Sequence, residues 1–109
     1  MNRAVDTSRV TAGEVERELR PVRFRHEIAF RVVSGEGFLV TADRAMHRVA
    51  APSGVAILEA LAARPHSRKE LYIALASRFR GDPEQIARDT DVFLTRLVAR
   101  GVVEEFEGE

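Results

Sequence analysis

The chain has 109 residues, 45% hydrophobic and 31% charged, with 17 basic side chains balanced by 17 acidic ones. That length suffices for one domain around a single core, and zero net charge argues against holding nucleic acid or anionic lipid by bulk charge. The absence of cysteine excludes disulfides, thiolate metal sites and a cysteine nucleophile.

No apolar run approaches the roughly 18 residues of a membrane span. The first twenty residues lack the apolar stretch of a secretory signal, so a cytoplasmic protein is expected. The basic residues are 16 Arg and one Lys, a bias suited to bidentate carboxylate contacts.

Residues 1–10 are polar and read as an arm. Thr11-Ala-Gly-Glu14 has the form of a capping box, with Val10 and Val15 at staple positions, so a short helix is expected from about Ala12 to Arg20, ended by Pro21. From Val22 the period becomes two. Val22, Phe24, Ile28, Phe30 and Val32 share one parity, while Arg23, Arg25, Glu27 and Arg31 share the other. This predicts a half-buried strand, long enough to break near His26. Turns follow at Ser34–Gly37 and Ala42–Ala45, with strands at Phe38–Thr41 and Met46–Ala50, giving an antiparallel meander.

At Val49–Leu61 the period changes from two to helical. Ser53 is expected to cap the first main helix, with Ile57, Leu58 and Leu61 as its apolar stripe. Ser67-Arg-Lys-Glu70 is a second capping box, opening a helix to about Arg80 whose Leu71, Leu75 and Phe79 face the core. Asp82, Pro83 and Gln85 open the third main helix. It should run to Arg100, bury Ile86, Thr90, Phe93, Leu94 and Leu97, and end at Gly101. Val102 and Val103 should pack back on the core, and the acidic stretch Glu104–Glu109 should fade into solvent. The fold class is therefore α+β: a three-stranded antiparallel sheet followed by a three-helix bundle, winged-helix-like. The expected divisions are residues 1–21 as arm, 22–105 as domain and 106–109 as tail.

Catalytic signals are weak. There is no G-x-S-x-G, P-loop or G-x-G-x-x-G, and no histidine pair at helical zinc spacing. His26 and His47 could meet only across two strands. Neither metal, cofactor nor enzymatic activity is expected. Binding features are better. Met46–Ala50 reads as a free edge that an extended peptide could pair with. The third helix carries Arg88, Asp89, Val92, Thr95 and Arg96 on its outer face, which suits a groove wall better than a DNA-reading helix, because Glu84, Asp89 and Asp91 offset its arginines.

Three stretches together carry a family resemblance. Pro52-Ser-Gly54 with Ile57, then Ser67-Arg-Lys-Glu70, then Phe93-Leu-Thr-Arg-Leu97 with Gly101-Val-Val103 resemble the PqqD-like family, the recognition elements for ribosomally made, modified peptides. The likeness covers about residues 22–105; Ala50 and Ala51 stand where that family often has Leu-Asn. It implies a non-catalytic peptide chaperone that binds a precursor's leader as an added strand and presents it to a modifying enzyme, often a radical-SAM enzyme. Carried onto this chain, it implies peptide-binding positions at Met46, Arg48 and Ala50 on the strand, and at Arg88, Val92 and Arg96 on the helix. The competing readings are a winged-helix DNA-binding regulator and an assembly protein that binds a folded partner. An exposed edge also leaves room for a homodimer.

Overall fold

The computed structural model describes residues 12–107, with side chains described from Val15 onward. The expected capping box at Thr11–Glu14 and the Val10–Val15 staple lie outside the described residues. The helix they would open is present as α1 (Ala12–Leu19). Six strands and three further helices follow: β1 (Pro21–Phe24), β2 (Ala29–Val33), β3 (Glu36–Val40), β4 (Met46–Val49), α2 (Pro52–Ala63), β5 (His66–Ser67), α3 (Arg68–Arg78), α4 (Pro83–Ala99) and β6 (Val103–Glu105).

The period-two run from Val22 breaks, and its halves serve different sheets. β2, β3 and β4 form the expected antiparallel meander, with Phe30 opposite Leu39 and Leu39 opposite His47. β1 instead lies between β5 and β6, antiparallel to both. A turn closed by the Ile28 N–H donating to the Arg25 carbonyl separates β1 from β2. Both halves still aim the same parity inward: Val22 is fully buried, and Phe24, Ile28 and Phe30 pack on the core.

Local turn chemistry explains much of the meander. Ser34 and Gly35 both have positive φ, 52° and 79°, as a two-residue hairpin joining right-twisted strands requires. The turn into β4 is tied by Thr41 and Asp43: the Thr41 hydroxyl donates to the Asp43 carboxylate, which also accepts the Ala45 N–H at 3.1 Å.

Helix starts divide between the expected and the unexpected. Ser67 accepts the Glu70 N–H while the Glu70 carboxylate accepts the Ser67 N–H, completing the capping box of α3. Asp82 caps α4 with Pro83 in its first turn. Ser53, however, does not cap α2. The helix starts two residues earlier than a Ser53 cap would place it, with Ala51 as a cap that makes no side-chain hydrogen bond and Pro52 in the first turn. Proline's fixed φ suits the first helical position, and this sets the start. At the end of α4, Gly101 (φ 76°) donates to the Val98 carbonyl and Val102 to that of Leu97, a Schellman closure.

The core lies between the helices and the two sheets, built from Leu39, Leu58, Leu71 and Leu94 with Val22, Val102 and Val103. One expectation fails at the C-terminal end. Glu104 and Glu105 do not fade into solvent; they belong to β6, paired with Arg23 and Val22. Their carboxylates meet arginines: Glu104 with Arg23 and Arg25, Glu105 with Arg20 and Arg68. No helix among the described residues is long and apolar enough to cross a membrane.

Candidate functional site: a groove between β4 and α4

Among the described residues β4 is the last strand of its sheet, bonded to β3 on one side only. Its other edge faces α4. The two elements reach this placement through α2, whose N-terminus follows β4 after two residues. Gly54 makes the close approach: a Cβ there would lie 2.8 Å from Val49 Cγ1 and 3.4 Å from the Phe93 ring. Any larger residue would force strand, helix start and α4 apart.

Between β4 and α4 the surface opens into two adjoining cavities of about 230 and 150 Å³. Val49, Ala51 and Phe93 line both, so these residues divide them. The larger has a basic lining: Arg96 from α4, Arg100 at its C-terminal cap, and His47 and Arg48 from β4, with no carboxylate. The smaller is apolar, with Phe79, Ile86, Ile57 and Leu75 around Phe93, and Asp89 is its sole charged lining residue. At about 100° of helical turn per residue, Asp89, Phe93, Arg96 and Arg100 fall on one stripe of α4. Asp91 lies nearly opposite, where it accepts Arg17 and Arg68 at 2.9 Å. α1 is thus clipped to the side of α4 away from the groove.

The six positions named from sequence are not all brought together. Arg48, Ala50 and Arg96 line the larger cavity. Met46 is 68% exposed and, with Arg48, has the parity of the sheet's outer face. There Arg48 donates twice to Glu36, at 2.7 and 3.0 Å, and this bonding holds the Glu36 carboxyl below the usual range. Val92 is half exposed and lines neither cavity. Arg88 turns further away and donates to Gln85, which donates in turn to Asp89.

His47, Val49 and Arg100 line the groove but were not among the sequence-derived positions. The signal was available for the first two. In a strand, neighbours point to opposite faces, so if His47 and Val49 share the inward parity of Leu39 and Gly37, then Met46 and Arg48 must face out. Among the described residues the arrangement supplies an unpaired strand edge, a cationic recess and an apolar recess side by side. It holds no nucleophile–base pair, and no cluster of three metal-ligating side chains is found among the described residues.

Comparison with known proteins adds three findings. A family model described as Coenzyme PQQ synthesis protein D (PqqD) matches residues 44–103, more than half of the chain. No curated protein matches the sequence. Two solved structures share the fold. One is TbiB1 in complex with the TbiA(beta) leader peptide, at TM-score 0.70 and 16% identity over 79% of this chain and 99% of that one. The other is a lasso peptide synthetase B1 complexed with the leader peptide, at TM-score 0.63 and 18% identity over 76% of this chain and 96% of that one.

Proposed function

The chain belongs to the PqqD family, and from that premise we propose that it is a peptide-binding chaperone with no chemistry of its own. It takes up the leader of a ribosomally made precursor by β-strand addition and presents it to a modifying enzyme, in the cytoplasm where such precursors are made. Residues 22–105 form the binding unit in this reading. The observation that carries it is the pairing of β4, one-sided among the described residues, beside the α4 groove. Both structural neighbours are complexes with a leader peptide, which supports it.

The geometry gives each part a role. Main-chain groups of the incoming strand pair with the β4 edge and supply affinity that is indifferent to sequence. Alternate peptide side chains turn toward α4. One finds Arg96 and Arg100, which favour a carboxylate; another finds the apolar recess around Phe93, whose volume suits one large apolar side chain. The intervening side chains stay on the outer face beside Met46 and Arg48.

The test is a titration of the precursor's leader peptide into isotopically labelled protein. Shifts should concentrate on Met46–Ala50 and on the Asp89–Arg100 stripe of α4. Arg96→Glu should weaken binding roughly tenfold or more, the cost of putting like charges together in a partly desolvated site. Shifts confined to another surface, or an Arg96→Glu protein that binds as well as wild type, would remove the groove from the mechanism.

A further inference from the structure

Away from the groove, α1 and the N-terminal half of α3 border an open cleft of about 730 Å³. Its floor is apolar, with Leu19 from α1, Ile73 from α3, and Phe106 beyond β6. Leu19 is 57% exposed and Ile73 61%. Val15, one turn before Leu19, adds a third exposed apolar side chain to the same side of α1. Exposed apolar residues scattered singly are ordinary, whereas a cluster with a polar rim marks a contact surface.

The rim is basic. Arg64 and Lys69 border the floor, and Arg23 lies 4.0 Å above the Phe106 ring while bonded to Glu104. The sole carboxylate lining the cleft is Glu70, which is engaged in the α3 capping box and stands 3.9 Å from Arg64. Lys69 has no ion-pair partner among the described residues. Arg64 and Lys69 thus face a single carboxylate, Glu70, which leaves a net positive charge beside the apolar floor.

Its shape favours a helix over a strand. β5, the edge strand here, has two residues, too few for strand addition. α1 and α3 pack against each other and expose apolar side chains on the cleft side, so a third helix can lie across them, ridge into groove. None of the residues lining the cleft lines either cavity of the peptide groove. α3 serves both places from different faces, Lys69 and Ile73 toward the cleft, Leu75 and Phe79 toward the groove.

We propose that this cleft docks an acidic amphipathic helix of the modifying enzyme, so that the chain holds the leader on one side and the enzyme on the other. This rests on the peptide-chaperone reading above. The helix sets its apolar stripe on Leu19, Ile73 and Phe106, and its flanking carboxylates meet Arg64 and Lys69.

The experiment uses calorimetric titration of the full chain with two probes separately: the leader peptide and the modifying enzyme encoded beside this chain. Ile73→Glu and the double variant Arg64→Glu, Lys69→Glu should each weaken enzyme binding roughly tenfold. Their leader affinity should stay within about twofold of wild type, which also shows that they fold. Arg96→Glu should do the reverse. The proposal is overturned if both cleft variants bind the enzyme as wild type does, if wild type does not bind it, or if leader and enzyme compete for the chain. Loss of the chaperone reading has a different signature, a wild-type chain that binds the enzyme but not the leader.

Discussion

Arg68, with a side chain only 2% exposed, meets carboxylates from two elements: Asp91 on α4 and Glu105 on β6. Arg17 and Arg20 reach the same two acids from the α1 side. A guanidinium suits this place because its donors lie in a rigid plane and serve two acceptors at once. Arg68→Ala would leave both acids short of a partner and should cost about 3 kcal/mol in denaturant unfolding; Arg68→Lys should recover little of it. Burial pushes the Glu105 carboxyl up, but Arg68 and Arg20 outweigh it, and the group ends below the ordinary range. A carboxyl lowered in the folded state stabilises above its usual pKa of about 4.3 and loses that contribution as pH falls through the folded value. Wild type should therefore lose stability to acid over that window more steeply than Glu105→Gln, the gap between them closing as pH falls. Gly54 makes a second residue-scale prediction. Alanine is the better helix former by about 1 kcal/mol, but its Cβ would meet Val49 at 2.8 Å. Overpacking costs about 1–3 kcal/mol, so Gly54→Ala should destabilise on balance and crowd the divide between the two cavities.

The helix starts show which elements local chemistry specifies. Ser67 and Glu70 satisfy each other within four residues, so their role could be read from sequence alone, and Ser67→Ala should cost about 1 kcal/mol. Ser53 looked equivalent but is not: the start belongs to Pro52, and Ala51 occupies the cap position in extended conformation (ψ 130°). Ser53→Ala should stay within about 0.5 kcal/mol, and paired thermal melts of the two variants would show the contrast. The strands divide in the same way. β3 and β4 follow from turns with visible chemistry, Ser34-Gly35 and Thr41–Ala45. The partners of β1 do not, because they lie more than 40 residues downstream at His66–Ser67 and 79 or more at Val103–Glu105. Glu104 and Glu105 read as a solvated tail because nothing near them in sequence reveals the arginines they meet. The same holds for Arg68, whose burial depends on acids 23 and 37 residues away. In the groove, α4 supplied a readable stripe, whereas the strand positions were taken on the outward parity and His47 and Val49 were passed over.

As a whole the molecule carries no net charge, yet its surface is not uniform. Cationic recesses occur both at the groove and at the α1–α3 cleft, while Asp89, Glu84 and Asp82 sit toward the N-terminus of α4. Duplex DNA lying along α4 would meet those acids together with Arg96 and Arg100, and the counterion release that drives such binding would be largely cancelled. In a gel-shift series the chain should retain no duplex at low salt. Retention that fell steeply with added salt would restore the winged-helix regulator as a serious alternative.

Pairing of β6 with β1 also sets a schedule for synthesis. Residues 21–24 leave the ribosome long before residues 103–105, and until those follow, the buried face of Val22 lacks Val102 and Val103 while Arg68 lacks Glu105. The β4 edge is complete by residue 49, so on the nascent chain it precedes the closed core by roughly half the length of the protein. Ribosome-bound intermediates halted before residue 103 should therefore be protease-sensitive throughout β1, and become resistant together once β6 has emerged. Equal resistance in both would mean that the core closes without its last strand.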